Sequence, residues 1–328
     1  MPTLHCAGQD CPVRPGETVL DCLLRHRIAV PHSCKAGACQ TCLVRATSGV
    51  VPEAAQQGLR DTLRAQNYFL ACSCEPAEDL TVVLGGTAQR TAARIVSLKP
   101  LNETVLRVRL VFEAEFAYRP GQFATLLRED GLARSYSLAS LPHETELELH
   151  VRLIPGGAMS GWLRQTALPG TPVWLQGPAG NCFYVPGAAG EPLLLAGAGT
   201  GLAPLYGIVR DALRQGHTGE IHLFHGALTT AGLYLTSELL ALAQEHTNFH
   251  YVRSVLHGDA SPASPEVDHP EVEQGELAHS ILSRFPKLGG WKGYICGDPA
   301  LVTMLKKKVF LAGMASKAIY ADAFLPSA

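Results

Sequence analysis

A chain of 328 residues is long enough for two or three domains. Hydrophobic residues make up 47% of it and charged residues 17%, which suits packed cores in water, and a formal net charge of −2 argues against a basic nucleic-acid surface or a polybasic membrane anchor. No charged start followed by an apolar run marks a signal peptide, so a cytoplasmic protein is expected. The most apolar stretch, Pro192 to Val209, is broken by Gly197, Gly199, Gly201 and Pro204 and reads as strand, turn and helix rather than a membrane span.

Three blocks are expected: 1–87, 88–187 and 188–328. The first is rich in cysteine. Eight of the ten cysteines lie between Cys6 and Cys74, and only Cys182 and Cys296 follow. Clustering of this kind without a secretory signal favours metal binding over disulfides. Cys34, Cys39 and Cys42 are spaced C-x4-C-x2-C, with Cys72 or Cys74 as the fourth thiol. This spacing suits a plant-type [2Fe-2S] cluster, in which one tight loop supplies three ligands and a separate segment the fourth. Small residues Ala36, Gly37 and Ala38 let backbone N–H groups turn toward sulfur, and Phe69 and Leu70 would exclude water. A zinc site would need a second Cys pair of wider spacing than Cys72-x-Cys74. The block ends in the small, polar stretch 84–89, which reads as a linker.

The second block reads as antiparallel strands. Leu106, Val108 and Leu110 alternate with Arg107 and Arg109; Leu147, Leu149, Val151 and Leu153 alternate with Glu148, His150 and Arg152. Period two with one polar face predicts half-buried strands in a barrel or sandwich, the polar side chains facing water. Arg134-Ser135-Tyr136-Ser137 follows a strand beginning near Gln122. An Arg can fork onto a pyrophosphate, a Tyr ring can pack on an aromatic cofactor, and a Ser hydroxyl can hydrogen-bond to it. Gly156-Gly157-Ala158-Met159-Ser160 precedes a helical segment, where glycines let N–H groups approach a phosphate. The segment 186–192, Pro-Gly-Ala-Ala-Gly-Glu-Pro, is a second boundary.

The third block alternates strands and helices, which implies a parallel sheet covered by helices. Leu193 to Ala196 is an apolar strand. Leu205, Ile208, Val209, Ala212 and Leu213 share one helix face, and Gly216 stops that helix. Between them, Gly197-Ala198-Gly199-Thr200-Gly201-Leu202-Ala203-Pro204 sits where a turn can cradle a pyrophosphate. Strands are expected at Ile221–His225 and ending at Cys296, and a helix over Thr236–Gln244. Residues 257–276 read as a solvated loop. No Lys or Arg falls between Glu220 and His250 to meet a 2′-phosphate, so NADH is favoured over NADPH.

These motifs together resemble the ferredoxin–NADP reductase superfamily, in the order ferredoxin, FAD barrel, nicotinamide domain. The resemblance covers essentially the whole chain. It implies an α+β β-grasp ferredoxin domain, a six-stranded antiparallel β-barrel for FAD, and an α/β nicotinamide-binding domain. Likeness to plant-type ferredoxins, where a proline follows the fourth ligand by four residues as Pro76 follows Cys72, favours Cys34, Cys39, Cys42 and Cys72 as ligands. Cys6, Cys11, Cys22 and Cys74 are then packing residues. Many relatives carry Gly where this chain has Gln40. For FAD the resemblance implies Arg134 on the pyrophosphate, Tyr136 on the flavin or its ribityl chain, Ser137 near N5, and Gly157 and Ser160 at the phosphate loop. For NADH it implies Gly197, Gly199, Thr200, Gly201 and Pro204 at the pyrophosphate turn. Cys296-Gly297-Asp298-Pro299 would meet the nicotinamide, and Phe324 would lie near the flavin. Ser137, Cys296 and Phe324 are thus the expected catalytic group. The domain order matches reductase components of multicomponent oxygenases such as the benzoate and naphthalene dioxygenase systems, with a terminal oxygenase as electron acceptor. It also matches the reductase serving deoxysugar dehydration at C3, and a flavin–cluster redox sensor is a third reading.

Overall fold

The computed structural model describes residues 2–32, 35, 37, 40, 42–84, 90–258 and 272–324. The chain divides into two compact units, Met1–Ala88 and Gln89–Ala328. In the first unit, β1 (Thr3–Cys6) and β2 (Gln9–Pro12) form a hairpin and α1 (Val19–Arg25) follows. Then come β3 (Leu43–Ser48), the single turn α2 (Asp61–Arg64), β4 (Tyr68–Leu70) and β5 (Leu80–Val83). The sheet order is β2-β1-β5-β3-β4, with β1 and β5 parallel and the remaining pairs antiparallel, which is a β-grasp. The Thr18 hydroxyl caps α1 by accepting from the Asp21 N–H at 3.2 Å. Leu20 and Leu23 of α1 pack with Leu4, Phe69 and Leu80 of the sheet. Cys6, Cys11, Cys22 and Cys74 are buried in this same core, the packing role expected of them. The expected linker at 84–89 lies mostly outside the described residues.

The second unit begins with β6 (Arg90–Pro100), β7 (Val105–Phe112), β8 (Phe123–Leu127), β9 (Ala133–Ser137), β10 (Leu147–Arg152), α3 (Ala158–Gln165) and β11 (Pro172–Ala179). The strands form a six-stranded antiparallel sheet, β10-β7-β6-β11-β8-β9. It curls until its two edges meet at one bridge, Leu138 to Leu149. Ile95, Val108, Leu110, Leu126, Leu149 and Leu175 fill its inside.

The rest of the unit is β12 (Leu193–Ala198), α4 (Leu202–Arg214), β13 (Ile221–Ala227), α5 (Thr236–Glu245), β14 (Phe249–Val255), β15 (Glu273–Gln274), α6 (Leu277–Arg284), β16 (Lys292–Gly297), α7 (Pro299–Leu311) and β17 (Ile319–Ala323). All six strands are parallel, in the order β15-β14-β13-β12-β16-β17. Helix α4 starts three residues before the first apolar position of its face, and Pro204 is accepted there because first-turn N–H groups have no helical partner. Of the expected loop over 257–276, residues 259–271 lie outside the described set. Glu273 and Gln274 correct the remainder: they pair with Ser254 and Val255 at the sheet edge.

The alternating pattern of β10 misleads in one respect. Glu148 and His150 were expected to face water, yet both are buried. They are covered by the nucleotide-binding half of the unit. His150 Nε2 donates to Glu148 Oε1 at 2.8 Å, and its Nδ1 accepts from the Tyr234 hydroxyl at 3.2 Å. Arg107 reaches both Glu148 and Glu238 of α5, and Arg109 reaches Glu146 and Glu148. Burial alone would raise the Glu148 carboxyl, but the His150 hydrogen bond and the two guanidinium groups outweigh it and hold it down at about 2. His150 is shifted downward because burial disfavours its charge more than Glu148 favours it, so the imidazole is neutral. Periodicity identified the polar face; it could not show that a second domain lies on it.

Two further imidazoles are enclosed in the same unit. Burial pushes His225 down to about 3, and burial together with His250 pushes His222 down to about 4. Both values lie below the ordinary 6.5, so below about pH 6.5 the unfolded chain binds more protons than the folded one. Stability is therefore complete above that pH and declines as pH falls toward 4 and 3. Between pH 7 and pH 5 each group is expected to withdraw on the order of 2 kcal/mol. Glu148 adds its own loss only below about pH 4.5, as pH falls toward 2. Thermal melts of the flavin-loaded protein followed by flavin fluorescence should show a Tm several degrees lower at pH 5 than at pH 7. Equal Tm values would contradict burial of neutral imidazoles.

Candidate active site

In the first unit the 3₁₀ turn Ala71–Ser73 follows β4, and the Ala71 N–H donates to Cys42 O at 3.0 Å, holding the two cysteine-bearing segments together. The Cys42 and Cys72 sulfurs are close enough to influence each other's ionisation, and the Gly37 N–H is close enough to favour the Cys72 thiolate; Ser73 Oγ lies 3.6 Å from the Cys72 sulfur. Gly37 takes φ +73°, and a Cβ there would lie 2.9 Å from Ser73 Oγ. Phe69 and Leu70 are buried behind this loop. Cys34 and Cys39 lie outside the described residues. Two thiols brought together from separate segments, with a backbone N–H directed at one of them, fit a [2Fe-2S] cluster. Cys74 is different. It is fully buried, its carbonyl accepts from Val19 N–H at 2.7 Å, and burial and Glu75 push its thiol up to about 12. Gln40 sits at φ +58°, a left-handed conformation that favours Gly, and its amide donates to Gly58 O at 3.3 Å.

In the second unit, β9 pairs with β8 so that Arg134, Tyr136 and Ser137 oppose Leu126, Ala124 and Phe123. Arg134 is half-buried and its guanidinium donates to the adjacent Ala133 carbonyl at 2.7 Å; among the described residues no carboxylate pairs with it. Burial, partly offset by Arg134, pushes the Tyr136 phenol up to about 12. Gly157 is the N-cap of α3, and a Cβ there would stand 2.6 Å from Ser160 Oγ. That hydroxyl accepts from Ile154 N–H at 3.1 Å and so shapes the loop. A guanidinium with no carboxylate partner among the described residues, a half-buried phenol and a glycine-capped helix fit FAD.

At the C-terminal edge of the parallel sheet, Gly197 and Cys296 are register partners on β12 and β16. The turn Gly199–Gly201 leads into α4 and lies against the end of β16: a Cβ on Gly201 would be 2.3 Å from Cys296 O, and one on Gly197 2.8 Å from the same atom. This close approach requires glycine at both positions and gives the tight strand–turn–helix geometry that can cradle a pyrophosphate. Thr200 lies in that turn, and Pro204 follows in the first turn of α4. Gly297 turns at φ +132°, Asp298 Oδ1 caps α7 by accepting from Ala300 and Leu301 N–H at 2.9 and 3.4 Å, and Pro299 is the first helical residue. Asp298 and Pro299 are thus already accounted for as a helix start, whereas Cys296 and Gly297 border the turn. Ser137 Oγ donates to Asp322 Oδ2 at 3.2 Å, and Asp322 is the register partner of Cys296. The barrel strand, the strand carrying Cys296 and the terminal strand therefore meet. Phe324 follows β17, half-buried, its N–H donating to Gly297 O at 2.8 Å.

Two residues at this junction carried no expected role. Asp322 is raised by burial, with Ser137 opposing, and in sequence it is one acid in an ordinary terminal strand. Cys182 lies 3.6 Å from Cys296, sulfur to sulfur, and only the fold brings them together. Burial above all keeps the Cys296 thiol well above its ordinary range and therefore protonated.

A β-grasp unit in which Cys42 and Cys72 come together from separate segments, followed by a curled FAD-type barrel and a parallel nucleotide-binding sheet, defines an iron–sulfur flavoprotein oxidoreductase. Residues 3–77 match the 2Fe-2S iron-sulfur cluster binding domain, residues 94–184 the oxidoreductase FAD-binding domain, and residues 195–307 the oxidoreductase NAD-binding domain. The chain is 31% identical, over 95% of its length and 94% of the relative's, to the ferredoxin–NAD(P)+ reductase component of the naphthalene 1,2-dioxygenase/salicylate 5-hydroxylase systems of Ralstonia sp.. It is 30% identical, over 96% of its length and 95% of the relative's, to the corresponding component of the naphthalene 1,2-dioxygenase system of Pseudomonas putida. Among solved structures it resembles the Amycolatopsis cytochrome P450 reductase GcoB, with a TM-score of 0.68 and 30% identity over 99% of both chains. The chain belongs to the ferredoxin–NAD(P)+ reductase family, in the form that carries an N-terminal 2Fe-2S domain. Among the described residues no helix is long and apolar enough to cross a membrane.

Proposed function

We propose that this chain is the cytoplasmic NADH-oxidising reductase component of an oxygenase system, passing electrons from NADH through FAD and a [2Fe-2S] cluster to a terminal oxygenase. The observation that carries this reading is the junction of Ser137, Asp322 and Cys296 beside the glycine turn, where a nicotinamide and a flavin can be held face to face. Bound FAD takes two electrons as hydride and gives them up singly, which matches a two-electron donor to a one-electron cluster. In this reading Cys34, Cys39, Cys42 and Cys72 hold the cluster. Arg134 neutralises the flavin pyrophosphate, Tyr136 packs along the flavin, and the first turn of α3 with Gly157 and Ser160 faces a phosphate. Gly197, Gly199, Thr200, Gly201 and Pro204 admit the NADH pyrophosphate. Ser137, Cys296 and Phe324 shape the hydride-transfer site, with Gly297, Asp298 and Pro299 forming its floor. The Cys296 thiol stays protonated and acts by position, not as a nucleophile.

The direct test is reduction of cytochrome c, a one-electron protein acceptor, by NADH. The full chain is expected to turn over; a fragment of residues 89–328 should retain NADH–ferricyanide activity and lose most of its cytochrome c activity. Full-rate cytochrome c reduction by that fragment would overturn the proposed order of electron flow. NADH should exceed NADPH in kcat/KM by about ten- to hundredfold, since no basic side chain follows β13 to repay desolvation of a 2′-phosphate. Arg253, further on, is buried on β14 opposite His225. Equal constants for the two coenzymes would refute the preference.

Arg134→Ala is expected to emerge depleted of flavin. Removing a charge-assisted contact costs roughly 1.5–3 kcal/mol, about ten- to hundredfold in affinity. The flavin-to-protein ratio after purification checks this, and chromatography of the released cofactor should show FAD; release of FMN would refute the assignment.

A further inference from the structure

At the end of the parallel sheet opposite the glycine turn, three side chains converge that play no part in the chemistry above. His222 and His250 are register partners on β13 and β14, each the second residue of its strand, and Glu220 immediately precedes β13. Parallel pairing in register stacks the two imidazoles, 4.5 Å apart between ring centres and 18° between planes. Phe285 meets the His222 ring edge-on at 4.6 Å and Trp291 lies 5.7 Å away, so that ring is walled on several sides. Both Nε2 atoms face the same carboxylate oxygen: Glu220 Oε2 lies 3.6 Å from His222 and within hydrogen-bonding contact of His250. The three ligand atoms all fall within 4.8 Å of one another.

From this convergence of two imidazoles and one carboxylate we propose that Glu220, His222 and His250 form a surface site for a late divalent transition metal ion, Zn2+ being the physiological candidate. The donor set is the one that Zn2+ accepts, with three protein ligands and a position left for water. Ligand atoms on a tetrahedral zinc ion stand about 3.4 Å apart, so closing the site asks the two stacked rings to turn until their Nε2 lone pairs converge on one point beside the Glu220 carboxylate. Two of the ligands sit on paired strands, which fixes their spacing through the sheet. Glu220 and His250 are open enough for an ion to enter, while His222 is the enclosed anchor. The place, at the N-terminal ends of the strands, separates the ion from the nucleotide turn at their C-terminal ends. Its expected effect is to tie β13 to β14 and to the segment before β13, stabilising the folded state through binding rather than changing hydride transfer.

The test is equilibrium dialysis of the flavin- and cluster-loaded protein against micromolar ZnCl2, with metal content read by mass spectrometry. Wild type is compared with His250→Ala, Glu220→Gln and, as a control, the exposed His279→Ala. Wild type and His279→Ala should each hold about one zinc per chain more than His250→Ala and Glu220→Gln. Because zinc taken up by cysteine thiols is common to all four proteins, it drops out of the difference, and an unchanged visible spectrum shows that the cluster iron has not been displaced. Zinc should also raise the Tm of wild type and leave that of His250→Ala unmoved. Equal zinc content in all four proteins, or a Tm shift that survives His250→Ala, would overturn the site.

Discussion

Cys72→Ser is expected to remove most of the visible absorbance of the cluster and the rhombic EPR signal of the reduced protein, while Cys74→Ser keeps both. The two thiols are separated by one residue, yet they lie in different surroundings. Cys72 stands in the turn after β4, beside the Cys42 sulfur and approached by the Gly37 N–H. Cys74 lies in the apolar core among Leu20, Leu23 and Leu80 and is held protonated by burial. A cluster ligand has to stand beside the other ligand sulfurs, and Cys72 does so next to Cys42 whereas Cys74 packs into the apolar core. Cys74→Ser places a hydroxyl in that core and should cost about 1–3 kcal/mol of first-unit stability, read as a lower midpoint in denaturant with an intact cluster spectrum. A colourless Cys74→Ser protein beside a coloured Cys72→Ser protein would reverse the assignment.

Gly201→Ala should slow flavin reduction by NADH about a hundredfold or more without loss of flavin. The backbone at Gly201 is ordinary for any residue, with φ −57°, so no conformational penalty forbids alanine. Space forbids it: the new methyl group would stand 2.3 Å from Cys296 O, 2.8 Å from Cys296 C and 3.0 Å from Gly297 Cα. All three are main-chain atoms that cannot swing aside, so the turn and the end of β16 have to part. Misplacement of reacting groups by about 1 Å is enough to lose ~100-fold in rate. Gly199 makes the complementary case. Its φ of +54° penalises a side chain, but nothing lies within 4 Å of a Cβ there. Gly199→Ala should therefore cost about 1–2 kcal/mol of stability and leave much of the rate. Stopped-flow flavin reduction, with dithionite reduction as a check on the flavin itself, separates the two variants. A Gly201→Ala enzyme reduced by NADH at the native rate would show that the turn does not set the hydride geometry.

Much of this architecture was legible because it rests on local rules. The period-two strands of the barrel and the apolar helix face after the glycine turn are each written within a few dozen residues, and each has its counterpart in the fold. The strand ends moved by two residues at most where β12 and β13 run on to Ala198 and Ala227, since residues facing a turn carry no periodic signal. What stayed hidden depends on contacts distant in sequence. Asp322 meets Ser137 across 185 residues, and Cys182 meets Cys296 across 114. Neither pair has a motif. Asp298 and Pro299 show the reverse situation, a motif whose last two residues also serve an ordinary task, the start of a helix.

The buried polar face of β10 has a consequence for how this kind of protein can be assembled and reassembled. A barrel joined to a nucleotide-binding sheet through Glu148, His150, Tyr234 and Glu238 cannot exchange one half for a foreign counterpart without stranding charges in the seam. A variant that replaces one side of the seam alone is therefore expected to lose stability that matched replacement on both sides would restore.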